Sequence, residues 1–301
     1  MADTTLGSRG GRLLVEALGF VVLAYIAYAV TMSLWPPPEP KRLSAAESVD
    51  LIVAPGVSVE LMPAAKSLNG ARFAGFDVSP DGAIVVSTEA VAASRVVDMA
   101  NGEAVFTDGT AITSFAFVAG ELAAVDSDGR VGVNSDGRFQ PVGDGPVRGF
   151  RLGASSDGSR LFFLRTDYDG EGNVPALLSM VEGAAPEVLT GSFDPLRAVG
   201  GDALQTYFSL GGALFQLFEP GRSALLLALP DATQSVVGIG VSGGALYFAT
   251  ERAVYTLVDQ IVLPLVIGIG GDLRILGSDL YVLDVRQARV YRIALSTAGR
   301  S

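Results

Sequence analysis

Residues 73–87 read FAGFDVSPDGAIVVS: an apolar run, a Ser-Pro-Asp-Gly turn, and a second apolar run rich in β-branched side chains. Apolar and β-branched runs bounded by such turns read as paired strands, and Asp-Gly supplies the positive φ that a tight hairpin needs. The stretch leads to Arg95–Asp98 (RVVD) and to an outer run at Gly102–Phe106 (GEAVF). Working outward, the unit returns. Thr113–Asp126 (TSFAFVAGELAAVD) is followed by apolar runs after Gly129 and Gly137. Gly149–Leu164 (GFRLGASSDGSRLFFL) repeats the Ser-x-Asp-Gly turn and leads to Ala176–Met180 and Pro186–Leu189. A fourth copy starts at Leu196 and carries Thr206–Leu210, Ala213–Leu217 and Ala224–Leu229. A fifth runs from Val236 through Ala253–Leu257 to Ile261–Leu265, and a last from Leu273 to Leu295. No stretch after residue 50 sustains a helical period. A strand–turn–strand unit recurring at roughly 40 residues is the spacing of propeller blades.

The last copy lacks its final strand, and an unattached apolar strand, Val57–Met62, precedes the first. Pairing the two closes the ring and leaves no long open sheet edge. The predicted fold is therefore all-β: a β-propeller of about six blades over residues 51–296, closed by its N-terminal strand. The Ser79-Pro80-Asp81-Gly82 and Ser155-Ser156-Asp157-Gly158 turns, each followed by an apolar strand, resemble those of bacterial YVTN, NHL and Tol-associated propellers. That resemblance covers residues of about 50–296 as fold. It implies binding of proteins, peptides or small ligands, and for some six-bladed relatives a calcium-dependent lactonase activity. It transfers no functional residue to a position here.

Composition narrows the chemistry. The 301 residues contain no Cys and no His, with 32 acidic against 21 basic side chains and a net charge of -11. Disulfides, thiolate metal sites, cysteine nucleophiles and Ser-His-Asp triads are excluded. An acidic chain whose only lysines are Lys41 and Lys66 is no nucleic-acid binder, since phosphate contacts need clustered cations. No P-loop, Rossmann glycine pattern or G-x-S-x-G elbow occurs.

Leu13–Trp35 is the one long apolar run, 23 residues spanning ~34 Å as a helix, enough for the bilayer core. Glu16 sits at its start beside Arg12, Tyr25 and Tyr28 lie within it, and Trp35 falls at the interfacial belt. Arg9 and Arg12 place the N-terminus in the cytoplasm. Pro36–Pro40 then forms a stiff spacer. The expected organisation is a cytoplasmic tail (1–12), a transmembrane helix (13–35), a Pro-rich linker (36–50), the propeller, and a polar tail (297–301). The chain is read as a single-pass protein of a bacterial inner membrane, with its propeller periplasmic.

Candidate site residues are few. Asp167, Asp169, Glu171 and Asn173 place four oxygen-bearing side chains at alternate positions, as a calcium loop does. Leu178 stands where such a loop needs its bidentate Glu, so a solvated hairpin loop is the preferred reading. Asp126, Asp128, Asn134 and Asp136 read as turn residues. Arg148 and Arg151 in the third copy, and Arg286 and Arg289 in the last, are candidate interface arginines. With no catalytic constellation, the leading expectation is a protein-interaction or accessory subunit of a membrane protein complex, without a cofactor. The alternatives are a calcium-dependent hydrolase or lactonase-like propeller, and a solute- or glycan-binding sensor.

Overall fold

Strands begin at Ile52 in the computed structural model, which describes residues 51–89, 95–142, 151–156, 158–165, 176–180, 187–191, 196–231 and 233–295, with backbone alone at 151, 152, 165 and 180. The expected membrane span, its linker and the C-terminal tail lie outside the described residues. Among those described, no helix is long and apolar enough to cross a membrane.

The described residues between 51 and 295 form one compact unit of strands. The chain enters through β1 (Ile52–Val53) and β2 (Val57–Leu61). Blade 1 follows as β3 (Phe73–Val78), β4 (Ile84–Thr88) and β5 (Arg95–Asp98). Blade 2 is β6 (Ile112–Val118), β7 (Glu121–Asp126), β8 (Val131–Ser135) and β9 (Arg138–Pro141). Blade 3 is β10 (Arg151–Ala154), β11 (Leu161–Arg165), β12 (Ala176–Met180) and β13 (Glu187–Gly191). Blade 4 is β14 (Leu196–Gly201), β15 (Thr206–Leu210), β16 (Ala213–Glu219) and β17 (Arg222–Ala228). Blade 5 is β18 (Gly238–Ser242), β19 (Ala245–Ala249), β20 (Ala253–Val258) and β21 (Ile261–Ile267). Blade 6 joins β22 (Asp272–Leu276), β23 (Asp279–Asp284) and β24 (Arg289–Leu295) to β2 from the start of the domain.

The closure is the one expected. β2 runs antiparallel to β24, with Val57 opposite Leu295, Val59 opposite Ile293 and Leu61 opposite Tyr291. Two details differ from the sequence reading. β1 adds a fifth strand to blade 5, Ile52 opposite Ile267 and Val53 opposite Val266. In blade 1 the expected outer strand around Gly102–Phe106 is reduced to a single bridge, Val97 to Ala104. Gly102 there adopts φ +77, a turn conformation that interrupts pairing.

Each blade is covered on both faces, which explains why the second strands read as unbroken apolar runs rather than as an alternation. In β11, Phe163 packs towards blade 2 with Ala123 and Val125, whereas Phe162 packs towards blade 4 with Phe208 and Leu217; both are fully buried. In β19, Phe248 joins Tyr207 and Leu214 of blade 4, and Tyr247 joins Leu280 and Val282 of blade 6. Val86 of β4 meets Tyr281 and Leu283 of blade 6, and its neighbour Val85 meets Phe115 and Leu122 of blade 2. Every pair of adjacent blades thus shares an apolar cluster, and the ring is continuous.

The Ser-x-Asp-Gly turns behave as read. Ser79 Oγ accepts from Ala83 N at 2.9 Å and Ser155 Oγ from Arg160 N at 3.0 Å, with Gly82 at φ +89 and Gly158 at φ +69. Asp126 and Asn134 likewise spend their oxygens on turn amides, Asp126 on Asp128 N and Arg130 N and Asn134 on Gly137 N.

The closure makes a direct prediction. Deleting residues 1–50 should leave a monodisperse protein with one cooperative melt, whereas deleting residues 1–62 removes β2 and exposes the β24 edge. The longer deletion should self-associate and melt broadly, as measured by size-exclusion chromatography and thermal scanning.

Candidate functional site

The six first strands of the blades, β3, β6, β10, β14, β18 and β22, converge on the ring axis and line a cavity of about 440 Å³. It is bounded by the C-terminal ends of those strands and by the turns that follow them, including Pro80, Gly120 and Ser156. Backbones crowd here. A Cβ on Gly200 would lie 2.3 Å from Ile239 O and one on Gly238 would lie 2.6 Å from Leu273 N, while one on Gly240 would meet the Ile275 side chain at 2.5 Å. Glycine at 200 and 238 lets the backbones of β14, β18 and β22 approach so closely.

Into this crowded axis three charged side chains project. Asp77 comes from β3, and Asp272 and Arg274 come from β22, two residues apart and hence on the same face of the strand. Arg274 Nη1 donates to Asp272 Oδ1 at 2.7 Å and to Leu273 O at 2.9 Å. Its Nε lies 3.0 Å from Asp77 Oδ1, yet the N–H is not aimed along that line; the contact is ionic, and Nε has no hydrogen-bond partner. The guanidinium carbon sits 5.6 Å from the centroid of the Phe76 ring, a cation–π contact. Asp77 also accepts from Val78 N at 2.9 Å and, across the blade boundary, from Phe117 N at 2.6 Å. One carboxylate therefore ties blades 6, 1 and 2 together.

The side chains of Asp77, Asp272 and Arg274 are 5%, 13% and 16% exposed, so the group is largely withdrawn from water. Arg274 lines both the cavity and a void of about 10 Å³ beneath it, where it meets Gly153, Leu164 and Val237. The trio is thus a bar across the channel. Its formal charge is two negatives against one positive. Burial pushes the Asp77 carboxyl above its ordinary 3.8, and Arg274 and the two amides offset this only in part. The two carboxylates outweigh burial at Arg274 and hold its guanidinium above its ordinary value, firmly protonated.

Of the residues proposed from sequence, Arg286 and Arg289 are described with their side chains. Asp167, Asp169, Glu171, Asn173 and Arg148 lie outside the described residues, as do Glu16, Tyr25, Tyr28 and Trp35, and Arg151 is described by its backbone alone. Arg286 holds the fully buried Asp284 in the turn between β23 and β24, Nη2 to Oδ2 at 3.0 Å. Arg289 borders a cleft of about 580 Å³ along the closing seam, with Met62, Met99 and Gln287. Neither arginine enters the channel. Asp77, Asp272 and Arg274 were missed, although they leave a signal: one charge in the otherwise apolar first strand FAGFDV and two on one face of DLRIL.

No family model matches the chain, and no curated protein does. Solved structures do. A gluconolactonase from Xanthomonas campestris superposes with a TM-score of 0.58 at 13% identity, covering 81% of this chain and 98% of its own. An oxidoreductase described as a glucose dehydrogenase from Thermus thermophilus gives 0.55 at 16%, covering 79% and 100%. The PQQ-bound aldose sugar dehydrogenase of Streptomyces coelicolor gives 0.52 at 13%, covering 81% and 99%. At these identities the likeness is one of fold, the six-bladed propeller.

The raised Asp77 sets a sign for pH. Its neutral form is favoured by the fold, so its contribution to stability is fully present below 3.8 and lost as pH rises through the raised value. Asp77→Asn removes that dependence. The melting temperature of wild type relative to the Asn variant should fall across this window and level off above it, as read by fluorimetry over a pH series.

Proposed function

We propose that the protein acts on a small, uncharged, hydroxyl-rich molecule of the sugar or sugar-lactone class, bound in the channel cavity. The observation that carries this reading is the cavity itself, about 440 Å³, lined by all six blades, with a charged trio at its wall and the Ser155–Ser156 turn at its rim. That volume suits a monosaccharide-sized ligand held by a few convergent polar groups. The activities of the structurally similar gluconolactonase and sugar dehydrogenases support the same substrate class. The excess negative charge of the trio disfavours an anionic ligand, and an anionic quinone cofactor does not fit beside it. A resident divalent cation does not fit either: the two channel carboxylates already share one guanidinium, and no cluster of three metal-binding side chains occurs among the described residues.

The Leu13–Trp35 segment belongs to this proposal as a tether, holding the propeller on the periplasmic side of a bacterial inner membrane. Its support is the length of the apolar run and the proline spacer after it.

Calorimetry on the full-length protein tests the substrate class. Gluconolactone or glucose should bind, gluconate should bind roughly tenfold more weakly, and Ser156→Trp, which fills the mouth, should abolish binding without lowering the melting temperature. A pH-stat on the same sample reports ring opening. Absence of binding to any of these sugars overturns the reading.

A second reading, an accessory subunit of a membrane protein complex, is favoured by the outer edge of blade 5, where Ile52, Ile261, Leu263 and Ile267 are exposed. Purification from native membranes in mild detergent should then recover a defined larger complex, and Leu263→Glu should release the propeller from it.

A further inference from the structure

A ring of first strands that directs two carboxylates at one buried axis must neutralise them with a proton, a metal ion or a cationic side chain. Here Asp77 comes from the first blade and Asp272 from the last, and the group between them is the Arg274 guanidinium, 3.0 Å from the one and 2.7 Å from the other. We propose that Arg274 occupies the place of a divalent cation in this channel, so that the propeller keeps its axis assembled without a metal, and that only removal of the guanidinium opens the position to a divalent cation.

The geometry supports substitution of a cation rather than an ordinary salt bridge. The guanidinium reaches two carboxylates on two blades and the Leu273 carbonyl, an all-oxygen surround of the kind hard cations take. Nη1 donates to Asp272 and to the Leu273 carbonyl, but the buried Nε makes no hydrogen bond, so the link across the blade boundary to Asp77 rests on charge rather than donor geometry. The guanidinium's own blade supplies Asp272 and the Leu273 carbonyl; the contact with Asp77 spans the seam between β22 and β3, where the ring closes. The inference concerns charge at the axis and is independent of which small molecule fills the cavity.

The test uses the full-length protein and Arg274→Met, with Mn²⁺ and Ca²⁺ as probes. Removal of the guanidinium takes away the cation that Asp77 and Asp272 share and should lower the melting temperature by roughly 10 °C. Millimolar Mn²⁺ or Ca²⁺ should restore at least half of that loss in Arg274→Met, and low millimolar guanidinium should do the same as a mimic of the lost group. The metal rescue should disappear in Asp272→Asn/Arg274→Met. Arg274→Lys, which keeps the charge, should melt between the two and ignore added metal. If Arg274→Met alone does not fold, Asp77→Asn/Arg274→Met, which sheds one carboxylate, should fold; failure of that variant overturns the inference. So does an Arg274→Met protein that is as stable as wild type or indifferent to both metals and guanidinium. Stoichiometric Mn²⁺ binding by wild type that Asp77→Asn or Asp272→Asn abolishes overturns it as well.

Discussion

Five backbone-paired residues from the start of the domain, Val57–Leu61, lie along β24 at its end, and the rest of the ring depends on that pairing. A stack of sheets covered on both faces has two terminal faces that would otherwise stay wet. Joining them places the first and last blades in contact and buries Phe76, Val86, Tyr281 and Leu283 against one another. The hydrophobic cost of an open ring is therefore concentrated at one seam, and the seam is secured by ladder hydrogen bonds between segments far apart in sequence.

Closure also dictates what the axis can tolerate. Six first strands converge on one line, so bulk must fall where neighbouring backbones meet, as it does at Gly200 and Gly238. Elsewhere along the axis a cavity is left, because strands of fixed width arranged in a ring cannot fill its centre. A charged side chain placed there has little water and must find its partner across a blade boundary. Asp77 does so twice, through Phe117 N on one side and Arg274 on the other. The polar trio is consequently both a feature of the cavity wall and a tie between three blades, and changes in its charge are felt by stability as well as by any ligand.

The arrangement separates scaffold from cavity only in part. The apolar clusters between blades are centred on the second strands, where Val, Leu, Ile and Phe recur, and first strands add Phe76, Phe115, Val199, Ile239 and Leu273 to them. The cavity is lined by first strands and their turns, where each blade contributes something different. Ser155 and Ser156 stand at one place on the rim, Pro80 and Gly120 at others, and a carboxylate or a guanidinium at its floor. The rim turns can therefore vary without touching the packing that holds the blades together, whereas Val199, Ile239 and Leu273 belong to cavity wall and cluster alike.

The amino-acid sequence by itself determined the strands, the turns, the number of blades and the closing partner. These depend on local rules: a period of two, β-branched runs, and Asp-Gly pairs that require positive φ, repeated often enough for the copies to be compared. Even the missing strand of the last copy was legible, because an unattached apolar strand waited at Val57–Leu61. The short β1 was not, since two residues carry no period, and neither was the lost outer strand of blade 1. Only the tertiary structure decided the site. Asp77 and Arg274 stand at opposite ends of the domain; Asp77 reads as a stray charge in an apolar strand, Arg274 as the partner of the nearby Asp272, and nothing in their neighbours announces the other. Their meeting follows from closing a ring, which brings first and last strands side by side, and a Coulombic contact of 3.0 Å in a dry channel exists only once that has happened.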